Sequence, residues 1–321
     1  MNYRRLGRTA LQVSELCLGT MNFGACTSEQ ESFTILDEAV ELGINFIDTA
    51  NQYGGDLGVG ATETILGNWL AQDRSRRDRI VVATKVYEPM SSDINDRGLS
   101  ARHIQMACDA SLKRLQVDHI DLYQFHHIDR VAPFEEIWQA TDRLIAQGKI
   151  TYVGSSNFPG WKIAQANEMA KARHRLGLVS EQSLYNLIER RAELELIPAA
   201  LEYGLGVIAW SPLAGGLLAG PASEQGGRRR SAPIQSARAA YADQLARLVQ
   251  LCAELGETSS AAALAWVLHQ PGITATIIGP RNIDQLRSVA HVPELRLSGE
   301  VLAKLDAIFP PCGPAPEAYA W

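Results

Sequence analysis

The sequence predicts an α/β fold, a closed (β/α)8 barrel in which the whole chain of 321 residues forms one domain. Three observations predict it. Short apolar runs rich in Val and Ile alternate with longer segments of helical periodicity, as in parallel sheets with crossover helices. Eight such runs occur, the number that closes a barrel of this kind. The chain is 46% apolar and 21% charged, so a core of barrel size can form.

The predicted strands are short, and most end at a polar residue or a glycine. In chain order they are residues 16–19, 45–48, 80–85, 120–126, 150–155, 179–182, 207–210 and 276–279. Helices are predicted between them, for example at residues 29–42, 62–72, 101–115, 134–147 and 261–269. Because the strands are parallel, their carboxyl ends meet at one mouth of the barrel, where barrel enzymes build their sites.

Four segments lie outside this alternation. Residues 1–14 hold two extended runs around a Gly-Arg-Thr-Ala turn, which predicts an N-terminal β-hairpin that closes the amino-terminal end of the barrel. Long loops at 87–100 and 214–236 leave the carboxyl ends of the third and seventh strands, on the C-terminal face. The Pro-rich C-terminal tail at 309–321 is predicted to be non-helical, either a frayed end or a cover over the site.

Composition and charge exclude several classes of partner. A net charge of −6 offers no basic surplus for nucleic acid or an anionic membrane. No apolar run reaches the roughly 18 residues that a membrane helix needs, and residues 1–5 lead into no signal-peptide core. The five cysteines are scattered without a C-x-x-C pair, which favours a reducing compartment and predicts no metal site. A cytoplasmic protein is therefore expected.

Four polar residues lie at or just after strand ends. Asp48 closes the second predicted strand and Tyr53 follows it by five residues, while Lys85 ends the third and His126 ends the fourth. Lys85 shares the alternation of Val81 and Ala83 and is expected to face the barrel interior with them. Each residue also has a structural interpretation, as a helix-capping acid, a snorkelling lysine or a core histidine.

Taken together, the four residues form a set that can deliver a proton to a carbonyl. Reduction of a ketone needs a proton on its oxygen, and a phenol with a pKa near 10 is too weak an acid unless its anion is stabilised. The Lys85 ammonium beside Tyr53 would stabilise it, and Asp48 would hold that ammonium in place. His126 could donate to the carbonyl and orient it.

A dinucleotide fingerprint is not present. The run Gly58-Val59-Gly60 begins like G-x-G-x-x-G, but Glu63 occupies the third glycine position. The run also lies a dozen residues beyond the strand rather than at its end. These glycines are expected to let the Tyr53 loop turn back into the next helix.

The same residues resemble a known family. Asp48, Tyr53, Lys85 and His126, with Gly-Ser-Ser-Asn at 154–157 and Ala-Trp-Ser-Pro-Leu at 209–213, are similar in order to the aldo-keto reductases over nearly the whole chain. The resemblance implies a (β/α)8 TIM barrel that binds NADP(H) extended across its C-terminal face, without a Rossmann domain.

The resemblance also assigns residues to the parts of the cofactor. Ser156, Asn157 and Gln182 would meet the nicotinamide carboxamide, and the Trp210 ring would stack on the nicotinamide; Asp48 is also assigned to cofactor binding. Backbone contacts along the cofactor would come from Gly19, Thr20 and Met21, and contacts with the diphosphate from Ser211, Leu213, Gly215 and Leu217. The adenosine end would be met by Gly279, Arg281 and Gln285. The Arg281 guanidinium suits a 2′-phosphate by charge and planar geometry, which favours NADPH over NADH.

A narrower resemblance concerns the substrate. Residues 95–104, 123–130 and 309–318 are similar to the NDP-hexose 2,3-enoyl reductases of macrolide deoxysugar pathways. This implies reduction at C3 of a nucleotide-linked 3,4-diketo-2,6-dideoxy sugar, as a step of antibiotic biosynthesis. The loop at 87–100, the tail and the arginines at 228–230 would then cover the sugar or meet its diphosphate, although the arginines also fit a solvated loop.

Two other functions stay open. One is a broad-specificity aldehyde or ketone reductase of the same family, which the four polar residues cannot separate from a sugar reductase. The other is a cofactor-sensing regulatory protein that resembles the potassium-channel β-subunits. Relatives range from monomers to rings, so a homo-oligomer is possible.

Overall fold

The computed structural model describes residues 1–220 and 232–320. Eight parallel strands close into a barrel in the order β10-β3-β4-β5-β6-β7-β8-β9, and helices surround them. The predicted (β/α)8 TIM barrel is confirmed. In the described residues the strands are β1 (Tyr3–Arg5), β2 (Gln12–Ser14), β3 (Leu16–Gly19), β4 (Phe46–Asp48), β5 (Val81–Val86), β6 (Ile120–Phe125), β7 (Ile150–Ser156), β8 (Leu178–Leu184), β9 (Gly206–Trp210) and β10 (Ile273–Ile278).

Helices follow the barrel strands and pack their apolar faces on the sheet. In the described residues they are α1 (Glu29–Glu41), α2 (Ala61–Gln72), α3 (Ser75–Asp78), α4 (Ala101–Leu115), α5 (Phe134–Ala146), α6 (Gly160–Ala172), α7 (Leu196–Glu202), α8 (Ala232–Ala240), α9 (Ala242–Leu255), α10 (Ser259–His269), α11 (Ile283–Arg287) and α12 (Gly299–Ile308). Hydroxyl side chains begin several of them. Ser28 and Glu31 form a capping box at α1, and Ser100 accepts from the His103 N–H at α4.

The hairpin of residues 1–14 closes the amino-terminal end of the barrel, as predicted. Its strands pair antiparallel, with Tyr3 opposite Ser14. Leu6 and Val13 are fully buried in the inner cluster that the barrel strands enclose. Gly7 adopts a φ of +57°, and a Cβ there would lie 2.5 Å from the Val179 carbonyl oxygen, so only glycine fits this turn.

Two predictions about the loops and tail were wrong. The predicted loop 214–236 is overrun at its end by α8, because Ile234 and Ala237 give that segment an apolar face against its surroundings. The tail, predicted to be non-helical, forms a 3-10 turn at Ala318–Ala320, where no proline interrupts the backbone hydrogen bonds.

The described part of the tail is open to solvent. The Tyr319 side chain is 91% exposed, so it packs against little of the protein. The tail is joined to the barrel upstream of this segment, where the Arg190 guanidinium donates to the Phe309 carbonyl at 2.9 Å. No helix in residues 1–220 and 232–320 is long and apolar enough to cross a membrane.

Candidate active site

Lys85 and Asp48 form an ion pair inside the barrel mouth. Asp48 ends β4 opposite Ala83 of β5, and Lys85 lies two residues further along β5, one residue before its end. The Lys85 Nζ lies 2.5 Å from the Asp48 Oδ2 and 2.9 Å from the Thr49 carbonyl oxygen. Lys85 is fully buried. Burial favours the neutral amine, but the Asp48 carboxylate and the Tyr53 hydroxyl raise the pKa of Lys85, so it is an ammonium.

Tyr53 is brought to this pair by the loop after β4. Its hydroxyl lies 3.3 Å from the Lys85 Nζ, and the same Nζ lies 4.9 Å from the centre of the Tyr53 ring. Gly58 and Gly60 adopt φ values of +86° and +84°, which turns the loop back into α2 as expected. The phenol therefore sits half-buried beside a buried positive charge.

Two glutamines fix the second oxygen of the Asp48 carboxylate. Gln124 Nε2 and Gln182 Nε2 donate to Asp48 Oδ1 at 3.0 Å and 2.8 Å. Sequence analysis placed Gln182 at the cofactor and overlooked Gln124 as a site residue, although Gln124 shares the alternation of His126. These two bonds hold Oδ1 while Oδ2 faces Lys85.

His126 follows β6 directly, one residue beyond the observed end of that strand. Its ring lies edge-on to the Tyr53 ring, with 5.7 Å between centroids. Burial, reinforced by the Lys85 charge, lowers the pKa of His126 to about 2. The imidazole is therefore neutral and offers one N–H donor and one lone pair. The predicted four residues meet at one mouth.

A second histidine lies against the first. The His127 ring stacks on the His126 ring at 4.9 Å with an interplanar angle of 8°. Its Nε2 lies 3.0 Å from Glu88 Oε1, and the Tyr87 ring packs edge-on against it. Sequence analysis noted His127 without assigning it a role and overlooked Glu88; nothing in the sequence pairs the two.

Asn157 joins the ends of three strands beside Asp48, Tyr53, Lys85 and His126. Its amide nitrogen donates to the His126 carbonyl at 3.1 Å and to the Ser156 hydroxyl at 3.0 Å. Its amide oxygen accepts from the Trp210 Nε1 at 3.0 Å. The Trp210 ring is thus held at the mouth, half-buried, next to two of the residues predicted to bind the carboxamide.

Asn157 depends on a buried acid behind it. Its φ of +60° is in the left-handed region, and the turn is held by Glu181, which accepts from the Phe158 N–H at 3.0 Å and from the Ser155 hydroxyl. Glu181 is fully buried. Burial raises the pKa of its carboxyl to about 8 against the hydrogen bonds that lower it. Sequence analysis missed Glu181, because its place on the outer side of β8 carries no catalytic signal.

The loops above these strands are tied together by Asp129. Its carboxylate accepts from the N–H groups of Leu99, Val131 and Ala132 at 2.9 Å, 2.9 Å and 3.1 Å. Although burial opposes it, these three donors hold the pKa of Asp129 below its usual value. The predicted long loop after β5 is therefore an ordered wall of the mouth.

A sequence profile of the aldo/keto reductase family matches residues 15–309, and the closed barrel carries the expected four residues at its mouth. The chain belongs to the aldo/keto reductase family. It is therefore an oxidoreductase of a family that generally uses NAD(P)H.

Relatives agree over nearly the full length of the chain. An uncharacterized oxidoreductase, YrpG, of Bacillus subtilis (strain 168) is 52% identical over 100% of both chains. The versiconal hemiacetal acetate reductase of Aspergillus parasiticus is 31% identical over 97% of this chain and 98% of its own. A putative voltage-gated potassium channel subunit beta of Schizosaccharomyces pombe is 32% identical over 95% of this chain and 92% of its own. None of these names refers to a nucleotide sugar.

The remaining residues predicted from the aldo-keto reductase resemblance lie around the same rim. Gly19 and Thr20 follow β3 beside Asp48, where the Thr20 N–H and hydroxyl both donate to the Asp48 carbonyl at 3.0 Å. Met21 is 39% exposed next to them. A Cβ on Gly19 would lie 2.5 Å from the Ile277 side chain, so packing requires glycine here.

The segment after β9 forms a tight turn above Trp210. Ser211 adopts a φ of +52°, and its hydroxyl accepts from the Gly215 N–H at 3.1 Å. The Leu217 N–H donates to the Ala214 carbonyl at 3.2 Å, while Leu213 is half-buried at the start of the turn. The backbone N–H groups of Gly215 and Leu217 therefore already donate hydrogen bonds within the turn.

The segment after β10 brings together the three residues predicted at the adenosine end. Gln285 Oε1 accepts from the Arg281 N–H at 2.9 Å, and the Gly279 carbonyl accepts from Asn22 Nδ2 at 2.8 Å. Arg281 is half-buried on this rim. The arginines predicted to meet a substrate diphosphate, 228–230, lie outside the described residues.

Proposed function

We propose that the protein is an NADPH-dependent carbonyl reductase in which Tyr53 donates the proton. One observation carries the proposal: a buried ammonium, Lys85, lies between the Asp48 carboxylate at 2.5 Å and the Tyr53 hydroxyl at 3.3 Å. An ammonium that cannot move away stabilises the phenolate that remains when Tyr53 has given its proton.

The residues at the mouth fit a nicotinamide. The Trp210 indole is half-buried and hydrogen-bonded to Asn157, and an aromatic ring held in this way is suited to stacking on a flat ring. Ser156 and Gln182 supply hydroxyl and amide groups beside it, the donors and acceptors that a carboxamide needs. The bound dinucleotide supplies the hydride.

Arg281 supports NADPH rather than NADH. It lies after β10 on the rim reached by an extended cofactor, and a planar guanidinium pairs well with a phosphate. Replacing Arg281 by Ala is expected to raise the KM for NADPH and leave the KM for NADH unchanged.

In the proposed proton transfer, the neutral His126 orients the substrate. Its N–H donates to the carbonyl oxygen of the substrate and orients it toward Tyr53, whose ring lies edge-on to it at 5.7 Å. As hydride reaches the carbonyl carbon, the Tyr53 proton moves to the oxygen and an alcohol forms. Asp48, held by two glutamines, keeps Lys85 charged and in place throughout.

The proposed substrate is the C3 ketone of a nucleotide-linked 3,4-diketo-2,6-dideoxy sugar. Similarity of residues 95–104, 123–130 and 309–318 to sugar reductases supports it. The first two segments form the walls that Asp129 joins above His126. A polar lining of His127 and Glu88 also favours a substrate rich in oxygen over a hydrocarbon.

A broad-specificity carbonyl reductase is the second candidate, because the relatives named for a reaction include a reductase of versiconal hemiacetal acetate. The deciding experiment compares kcat/KM for the freshly dehydrated nucleotide sugar with that for 4-nitrobenzaldehyde, with NADPH and product analysis by NMR. The sugar is expected to be the better substrate. If kcat/KM for the aldehyde exceeds that for the sugar by several orders of magnitude, the sugar assignment is overturned, while the proposal of carbonyl reduction stands.

A further inference from the structure

Three metal-ligating side chains meet at the edge of the proposed active site. Glu88, His126 and His127 each offer one ligand atom, and these atoms all lie within 4.8 Å of one another. They form the one group of three or more such side chains found in residues 1–220 and 232–320. Two of its members, Glu88 and His127, have no part in the proposed proton transfer.

The backbone holds the three residues together. The His126 N–H donates to the Val86 carbonyl at 3.0 Å, which joins the end of β6 to the end of β5 two residues before Glu88. The two imidazoles are nearly parallel, with 4.9 Å between their centroids, and His127 Nε2 lies 3.0 Å from Glu88 Oε1. Because an ion lies in the plane of each imidazole that binds it, the half-exposed His127 ring has to turn when an ion binds.

The buried member of the group has an unused nitrogen. His126 is 8% exposed, and its Nδ1 is buried without a hydrogen-bond partner among the described residues. A buried nitrogen without a partner is costly, since its lone pair or its proton loses the bond it would make with water. An ion bound by Nδ1 would remove that cost.

We propose that Glu88, His126 and His127 form a binding site for Zn²⁺ at the mouth of the barrel. Two imidazoles and one carboxylate are a ligand set that zinc prefers, whereas Mg²⁺ and Ca²⁺ take oxygen ligands. Zinc bonds of about 2.0–2.2 Å in a tetrahedron place ligand atoms roughly 3.4 Å apart. The Glu88–His127 contact of 3.0 Å is shorter than this, and the other ligand atoms lie as far as 4.8 Å apart, so the half-exposed side chains of Glu88 and His127 have to adjust around an ion.

The Glu88 carboxylate brings one negative charge into the group. The Lys85 ammonium opposes a positive charge on His126, and its ion pair with Asp48 reduces this opposition. With three protein ligands, the fourth position of the ion opens to water at the mouth. The site resembles no structural zinc site, which would be closed by four protein ligands.

Zinc binding inhibits the reductase, and this consequence rests on the proposed function. An ion held by His126 occupies the space where the carbonyl oxygen would meet this ring. Inhibition is therefore competitive with the carbonyl substrate and not with NADPH, whose predicted contacts lie on other strands.

The binding test does not use activity. The full chain, with the exposed Cys26 and Cys312 replaced by Ser so that they bind no metal, is titrated with ZnCl2 by calorimetry and with CoCl2 by visible absorption. One saturable site with a ligand-field spectrum is expected. Glu88→Gln and His127→Asn are each expected to weaken binding by about tenfold or more. Absence of a saturable site would overturn the proposal, whatever the enzyme reduces.

A matched control separates the site from a chance pair. His291 Nε2 lies 3.0 Å from Glu257 Oε2, with exposure similar to the His127 pair but with no third ligand among the described residues. His291→Asn is expected to leave zinc affinity and zinc inhibition unchanged. In activity assays, Glu88→Gln and His127→Asn should raise the zinc inhibition constant relative to each variant's own metal-free rate. Equal inhibition in all variants would place the zinc elsewhere and overturn the proposal.

Discussion

At the scale of single residues, the buried Lys85 explains the site. A charged lysine is rarely fully buried unless it is paired, because leaving water costs several kcal/mol. Here the Asp48 carboxylate, the Thr49 carbonyl and the Tyr53 hydroxyl surround its Nζ. A pair of this kind adds little to stability by comparison with apolar packing. Its value lies in placing a fixed positive charge beside a phenol.

Tyr53→Phe tests the proton donor. The substitution removes one hydroxyl and keeps the ring, so the affinity for NADPH is expected to stay nearly the same. Because none of the described residues at the mouth is placed to replace the phenol, kcat should fall by orders of magnitude. The measurement is kcat with saturating carbonyl together with the NADPH dissociation constant from fluorescence titration. Activity comparable to that of the native chain would contradict the mechanism.

Lys85→Met tests whether the lysine serves chemistry or only the fold. Removal of the ammonium leaves the buried Asp48 carboxylate unpaired, so the free energy of unfolding should drop by about 3 kcal/mol and turnover should be lost. The double variant Lys85→Met with Asp48→Asn should recover much of that stability in urea titrations and stay inactive. Recovery of turnover in the double variant would reassign Lys85 to a structural role.

At the scale of elements, Glu181 connects β8 to the turn after β7. The bonds from Phe158 and Ser155 to its carboxyl group set the turn that presents Asn157, and Asn157 accepts a hydrogen bond from Trp210. The position of the predicted cofactor platform is thus fixed from behind the sheet, by a residue that faces away from the mouth.

Glu181→Gln is expected to change how stability depends on pH. The carboxyl's pKa rises from 4.5 to about 8 on folding. Between those values the folded protein binds more protons than the unfolded chain, so this group makes stability fall as pH rises, by at most about 1.4 kcal/mol per pH unit. The glutamine variant lacks this slope. Urea titrations from pH 5 to 8 measure it, with the exposed Glu254→Gln as control; parallel curves for native and Glu181→Gln proteins would contradict the expectation.

At the scale of the whole molecule, the apolar packing of the hairpin and the candidate active site lie at opposite ends of the barrel. The amino-terminal end is closed by the hairpin, whose Leu6 and Val13 fill the inner cluster, while the polar residues gather at the opposite mouth. Conformational requirements at the mouth, such as the left-handed Asn157 and Ser211, are supported by this packed base.

Leu6→Ala is expected to lower stability without changing catalysis. Leu6 is fully buried, so its truncation leaves a cavity and should reduce the free energy of unfolding by about 2–5 kcal/mol. Leu176→Ala, at a side chain that is 51% exposed, should cost less than about 0.5 kcal/mol. The kcat of folded Leu6→Ala at low temperature should equal that of the native chain. A changed kcat would show that the two ends of the barrel are coupled.

Much of the fold could be predicted because periodicity is local. Each barrel strand was found within about three residues of its observed bounds, and the four polar residues meet because parallel strands carry their ends to one mouth. Two predictions were wrong: that the tail holds no helical turn, and that the loop after β9 runs to residue 236. At Ala318–Ala320 and at the start of α8, local contacts outweighed the signal of nearby Pro and Gly.

The sequence by itself determined the barrel, the family and the positions of Asp48, Tyr53, Lys85 and His126. The alternation of strands with helices and the ends of the strands can be recognised from residues that are neighbours in the sequence. The tertiary structure alone decided their partners: Gln124 on the Asp48 carboxylate, Glu181 behind Asn157, and Glu88 against His127. Such contacts join residues from different strands or loops, and no local pattern records which of them closure of the barrel will bring together. Closure of the barrel also places the Lys85 ammonium beside Tyr53 and brings the ligand atoms of Glu88, His126 and His127 within 4.8 Å of one another.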